Sequence, residues 1–159
     1  MFILVEGPDG AGKTTLAKKL ADAFGYDYYH FSYPKDEAEA VALFDTYLDF
    51  ITTHNDCVVD RMFPSTMVYG DILRDRPELT KSQHDRLVFE LSLKDASVLF
   101  CTNNTKVLWE RCQDRGEEYI TSYDIFHDIC VEYDSYMNAL HEMLLNKAST
   151  VSVHTVALE

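Results

Sequence analysis

Glu6-Gly-Pro-Asp-Gly-Ala-Gly-Lys-Thr-Thr15, directly behind the apolar run Phe2-Ile-Leu-Val5, decides how the rest of the chain is read. Gly7, Gly12, Lys13 and Thr14 occupy the four fixed positions of Gly-x-x-x-x-Gly-Lys-Thr. A strand-like run leads in, and Leu16-Ala-Lys-Lys-Leu-Ala-Asp-Ala-Phe24 reads as the helix leading out, which is the context the motif requires. Glycines let the backbone curl until successive N–H groups point at one phosphate, and the helix N-terminus adds its partial positive charge. Gly7, Asp9, Gly10, Ala11, Gly12, Lys13, Thr14 and Thr15 are therefore the expected ATP-binding residues. Lys13 would reach the β- and γ-phosphates, and the Thr14 hydroxyl would sit on Mg²⁺.

The chain has 159 residues and no linker, repeat or low-complexity stretch, so a single domain spanning 1–159 is expected. Its formal net charge of −13 argues against a nucleic-acid partner, whose binding depends on many Lys and Arg displacing counterions. A small nucleotide needs only a few cations gathered in one cleft. Cys57, Cys101, Cys112 and Cys130 have neither C-x-x-C nor zinc-ligand spacing and read as buried free thiols in a reducing compartment. No run approaches the roughly 20 apolar residues of a membrane span. No signal-type segment is read at the N-terminus, and a soluble, cytoplasmic protein is the expectation.

After Gly25, Tyr26 to Phe31 reads as a second strand, and Asp36 to about Thr53 as a helix with Val41, Phe44, Tyr47 and Ile51 inward. Cys57-Val-Val-Asp60 is a third strand. Pro64 and Ser65 open a turn into a helix near Met67 to Arg74, ended by Pro77. Thr80-Lys-Ser-Gln83 has capping-box form ahead of the next helix. Ser97–Cys101, a helix over Lys106–Arg115, a long helix over Ser122–Asn146 and a strand over Thr150–Val156 complete the order. Strands alternating with helices predict a three-layer α/β P-loop NTPase fold: a five-stranded parallel sheet with helices on both faces and a short lid at about 111–122. Such sheets bind ligands at the carboxyl ends of their strands.

Two further constellations point to phosphoryl transfer. Asp60 ends an apolar strand, as a carboxylate that orders Mg²⁺ would, and Arg61 beside it puts a cation where an acceptor phosphate would lie. Arg111 and Arg115, four apart on one helix face before Gly116, are candidates for charges brought onto the transferring group by a closing lid. The competing reading pairs them with Glu110, Asp114 and Glu117 on a solvated face.

Taken together, these residues resemble the thymidylate kinase family of P-loop nucleoside monophosphate kinases nearly end to end. Glu6 to Thr15 matches that family's loop, Asp60-Arg61 with Ser65 and Tyr69 its central motif, and Leu108 to Tyr133 its lid and following helix. The resemblance implies Mg²⁺–ATP as donor and a deoxynucleoside monophosphate, dTMP or a relative, as acceptor. It places Asp9 on the acceptor sugar, Arg61 on its phosphate and Tyr69 on sugar or base. Phe31, Pro34 and Ser65 complete the expected acceptor site, Lys13, Arg61, Arg111 and Arg115 the catalytic set, and Thr14 and Asp60 the metal site. A homodimer is compatible with the family's habit of pairing through helices beside the loop's own. Met62, Gly70 and the loss of an arginine between Pro34 and Asp60 depart from the pattern on the acceptor side. His30, Phe31, Tyr33, Phe44, Tyr47 and Phe63 are candidate base-stacking residues there.

Two other classes stay open. A hydroxyl-acceptor kinase, such as a deoxynucleoside kinase, needs a positioned base, and the place just past the second strand holds Ser32-Tyr33-Pro34 instead of an acid. A nucleotide switch would show Asn-Lys-x-Asp after the fourth strand, where the chain has Thr102-Asn-Asn-Thr-Lys106.

Overall fold

A computed structural model describes residues 1–74, 78–117, 119–147 and 149–159. Pro77, the expected helix terminator, lies outside the described residues, as does Glu118 of the lid segment. The strands are β1 (Phe2–Glu6), β2 (Asp27–His30), β3 (Cys57–Asp60), β4 (Ala96–Thr102) and β5 (Ser152–Ala157). The helices are α1 (Lys13–Phe24), α2 (Glu37–Thr53), α3 (Phe63–Leu73), α4 (Lys81–Ser92), α5 (Thr105–Asp114) and α6 (Tyr123–Asn146). All strand pairs are parallel, in the order β2-β3-β1-β4-β5. The expected fold class is thus the observed one.

The central position of β1 explains its composition, because a strand covered on both faces reads as a continuous apolar run. Phe2 to Glu6 are all buried. Alternate side chains point to opposite faces. Phe2 meets Phe50 of α2 and Glu6 reaches Tyr133 of α6, so these helices cover one face. α1 packs on β1, β2 and β3 on the other. Phe126, Ile129, Tyr133, Met137, Leu140 and Leu144 form the buried stripe of α6, as their spacing predicts.

Sequence-local caps set several helix starts. Asp36 accepts from Glu39 N at 2.9 Å, Thr80 and Gln83 form the reciprocal capping box, and Ser122 accepts from Ile125 N at 3.2 Å. Two expectations need correction. The inward face of α2 runs through Leu43, Tyr47, Phe50 and Ile51, while Val41 is 77% exposed. α3 begins at Phe63, four residues before the expected start, because Pro64 fits the first helical turn and the missing cap arrives from β1. That cap is Glu6: its Oε1 accepts from Met62 N at 2.7 Å and from Ser65 N at 3.4 Å, and its Oε2 from Ser65 Oγ at 2.7 Å. A carboxylate there also meets the positive end of the helix dipole.

The four cysteines are buried and free, as their spacing suggested. No described helix is long and apolar enough to cross a membrane.

Candidate active site

The strand ends of β1, β2 and β3 deliver their loops to one edge of the sheet, and the glycine-rich loop lies there between β1 and α1. At Gly7 the backbone has φ 143° and a Cβ would lie 2.0 Å from Cys101 O. Only glycine fits this approach of the loop to β4. Gly12, at φ 79°, ends the loop in left-handed backbone against the Leu158 side chain. Lys13 opens α1 and donates from Nζ to Pro8 O at 2.6 Å across the loop. Burial pushes its pKa down to about 8, helped by repulsion from Arg61 and opposed by Asp9, Asp60 and Glu6. A phosphate entering the loop would relieve that cost by pairing with the ammonium.

Asp60, fully buried at the end of β3, gathers groups from two other elements, α1 and β2. Its Oδ2 accepts from Thr14 Oγ1 at 2.5 Å and Tyr28 OH at 3.1 Å, and His30 Nδ1 lies 3.2 Å away. His30 is Asp60's register partner on β2. Burial and the neighbouring carboxylate push the Tyr28 phenol up to about 12, so it stays a donor. Asp60 Oδ1 is buried with no hydrogen-bond partner. An orphaned carboxylate oxygen beside a hydroxyl is a hard oxygen donor set suited to Mg²⁺. The described residues contain no cluster of three or more His, Cys, Asp or Glu. Mg²⁺ commonly takes one or two protein ligands and substrate phosphates for the rest.

Arg61 follows at φ 69°, a left-handed conformation that costs a non-glycine residue about 1–2 kcal/mol. Arg61 N bonds to Val5 O at 3.0 Å and holds the turn. Its Nη1 donates to Ser65 Oγ at 3.1 Å and Tyr133 OH at 3.2 Å, and its Nη2 donates to Asp9 Oδ1. The other Asp9 oxygen accepts from Tyr69 OH at 2.6 Å and from Tyr119 OH of the lid. Burial works to raise the Asp9 pKa, but Arg61, Lys13 and the two phenol hydrogen bonds outweigh it and hold the carboxyl below its ordinary value. Buried at Tyr133 and Ser65, Glu6 goes the other way: desolvation raises its pKa above the ordinary range.

A cavity of about 570 Å³ opens from this cluster, within the range of small-molecule sites. Asp9, Phe31, Pro34, Arg61, Ser65 and Tyr69, the six expected acceptor residues, all line it. Of the expected base-stacking residues, His30, Phe31, Tyr33 and Tyr47 line it as well. Phe44 and Phe63 do not. Phe63 is fully buried against His84, and Phe44 packs on the core. Trp109 packs between Tyr123 and Phe126.

The lid arginines lie elsewhere. Arg111 Nη1 donates to Gly10 O at 3.3 Å and Leu158 O at 3.2 Å, bracing the loop to the last strand's tail. Arg115 is half exposed, donates to Arg111 O and sits 3.6 Å from Glu117. Sequence reasoning did not find Glu6, Tyr28, Arg74 or Tyr119 as site residues. Glu6 carries a detectable signal, an acid continuing the buried parity of β1, whereas Tyr119 and Arg74 carry none.

Residues 3–63, under half of the chain, match the family profile described as the ATPase family associated with various cellular activities (AAA). Solved structures resemble the whole chain. The α/β, P-loop kinase-like fold is shared with them. YorR protein from Bacillus subtilis, in complex with phosphorylated GDP, is 24% identical with a TM-score of 0.77, covering 100% of this chain and 85% of that one. Deoxyadenosine kinase from M. mycoides with bound dCTP is 16% identical with a TM-score of 0.63, covering 100% and 92%. A gluconokinase from Sinorhizobium meliloti 1021 is 16% identical with a TM-score of 0.54, covering 98% and 81%. No curated protein matches the sequence significantly.

Proposed function

We propose that the chain is an ATP-dependent kinase that moves the γ-phosphoryl group of ATP onto the phosphate of a deoxynucleoside monophosphate, in the manner of the thymidylate kinase-like enzymes. The observation that carries this reading is Arg61. It is held in costly left-handed backbone at the wall of a nucleotide-sized cavity, with its ion-pair partner Asp9 inside the glycine-rich loop. Strain of this kind at a charged residue beside a phosphate-binding loop points to function.

In this mechanism the loop N–H groups and Lys13 hold the β- and γ-phosphates of ATP. Thr14 and Asp60 would hold Mg²⁺, which when bound neutralises phosphate charge. An acceptor phosphate oxygen forms the new bond to the γ-phosphorus while the bridging bond to the β-phosphate breaks, and ADP leaves. Arg61 orients the attacking phosphate, which is already an oxyanion and requires no base. Closure of the lid would bring Arg115, and Arg111 from its place on Gly10, toward the charge that develops in flight. Asp9, released from Arg61 by the incoming phosphate, is free to accept from the acceptor's sugar hydroxyl.

One observation favours a second reading. His30, 3.2 Å from Asp60 and lining the cavity, stands at the end of β2 where a hydroxyl-acceptor kinase needs a base. Product identity separates the two. Phosphorus NMR of ATP incubated with a nucleoside monophosphate shows the acceptor's own diphosphate, resolved from ADP, for the first reading. A monophosphate formed from a nucleoside, with no acceptor diphosphate formed from monophosphates, supports the second.

A further inference from the structure

α3 runs along the cavity, and one face of it lines the wall: Arg61 just before it, Ser65, Thr66, Tyr69 and Leu73 on it, and Arg74 just after it. Eleven helical residues span about 16 Å. The cavity therefore has a phosphate end at Arg61 and an opposite end at Arg74.

The opposite end is built differently. The Arg74 guanidinium lies 3.4 Å from the centre of the Tyr33 ring, and its Nη1 is 3.1 Å from Glu78 Oε2. The side chain is 22% exposed. Tyr33 holds one face of the guanidinium, and Glu78 Oε2 lies beside Nη1 without forming a hydrogen bond, so the N–H groups remain available to the cavity that Arg74 lines. Phe31 and Tyr47 supply aromatic walls, and Tyr47 OH is bonded to Thr66 Oγ1 at 2.9 Å. Glu78 compensates the arginine's charge, so this group is suited to a neutral dipole rather than a second phosphate.

We propose that Arg74 is the base-reading residue of the acceptor site and selects 6-oxopurines and 4-oxopyrimidines over their amino counterparts. The inference rests on the acceptor being a nucleotide. A guanidinium has donors only, so it pairs with a carbonyl oxygen on the base edge. An exocyclic amino group in the same place is a donor facing a donor, and both are left unpaired away from water. The Tyr47–Thr66 hydroxyls can give or accept and do not choose. Of the described residues at this end, Arg74 is the obligate donor that decides.

The test is calorimetric titration of dGMP, dTMP, dAMP and dCMP into the protein without ATP, followed by turnover with the same four. The wild type is expected to bind dGMP or dTMP on the order of 10- to 100-fold more tightly than its amino counterpart. Arg74→Gln, which can both donate and accept, brings the four within about threefold while inorganic phosphate still binds. Tyr33→Leu, which frees the guanidinium plane, moves the ratio the same way and serves if the first variant does not fold. Equal binding or an amino preference in the wild type overturns the proposal, as does retention of the preference in folded Arg74→Gln. Loss of inorganic phosphate binding in Arg74→Gln also overturns it, by making Arg74 a phosphate ligand. An oxo preference in binding without turnover defeats the kinase reading alone, and turnover without base preference defeats this inference alone.

Discussion

Arg61 and Asp9, fifty-two residues apart, form a largely buried ion pair that joins the end of β3 to the phosphate loop. In the proposed reaction the pair would keep Arg61 charged, oriented and neutralised until an acceptor phosphate competes for it. Removing one member strands the other. Arg61→Gln is expected to lower kcat/KM at least 100-fold and to destabilise the fold by about 3–5 kcal/mol at pH 7. Asp9 is held below its ordinary 3.8, so the pair's contribution is present above that pH and lost as pH falls through the lowered value. In the variant the Asp9 carboxyl moves up, and the deficit in a denaturant titration should shrink as pH approaches 4. A variant as stable as the wild type at pH 7 would contradict the coupling.

Lys13 gives a signature in binding. With its pKa near 8 in the free protein and higher once phosphates pair with it, triphosphate binding takes up a proton above pH 8. Affinity for the ATP triphosphate should be flat below pH 8 and then fall, by at most about tenfold per unit. Lys13→Arg, charged throughout, should lose this dependence whatever its absolute affinity. Fluorescence titration of a labelled ATP analogue from pH 6.5 to 9.5 reads it directly; a flat wild-type profile counts against a buried, phosphate-facing lysine.

Glu6 caps α3 from a distance. Glu6→Ala leaves Met62 N–H and the Ser65 hydroxyl without their acceptor and should cost about 2–4 kcal/mol in a denaturant midpoint. Because its folded pKa lies above the ordinary 4.5, the native state binds more protons than the unfolded one between those values. Its contribution therefore favours the folded state most at low pH and declines as pH rises through that window. Glu6→Gln should flatten this part of the stability profile.

The order of elements was legible because local signals agreed. The buried run of β1, the Asp36, Thr80 and Ser122 caps and the periodicity of α6 each act within a few residues. The start of α3 was not, since its cap comes from Glu6, which no local pattern links to Met62. The cavity was readable where it reuses motif residues, Asp9, Arg61, Ser65 and Tyr69. Tyr119 and Arg74 enter it through tertiary folding, as Tyr28 reaches Asp60, and nothing in their own neighbourhoods marks them.

The lid arginines separate by kinetics. Arg111 braces Gly10, so Arg111→Ala should raise the KM for ATP several-fold. Arg115→Ala should leave that KM within about twofold and lower kcat roughly tenfold or more, as expected of a group that acts only on the transition state. Unchanged kcat in Arg115→Ala returns it to an exposed ion pair with Glu117.

We propose phosphoryl transfer from ATP to a nucleotide held beside Arg61. Its most direct test is ADP release from Mg²⁺–ATP against a panel of ribo- and deoxynucleoside monophosphates and nucleosides, with Lys13→Ala as the blank. Release should depend on at least one deoxynucleoside monophosphate and vanish in the blank. Release that no monophosphate stimulates, or that persists undiminished in Lys13→Ala, would contradict it.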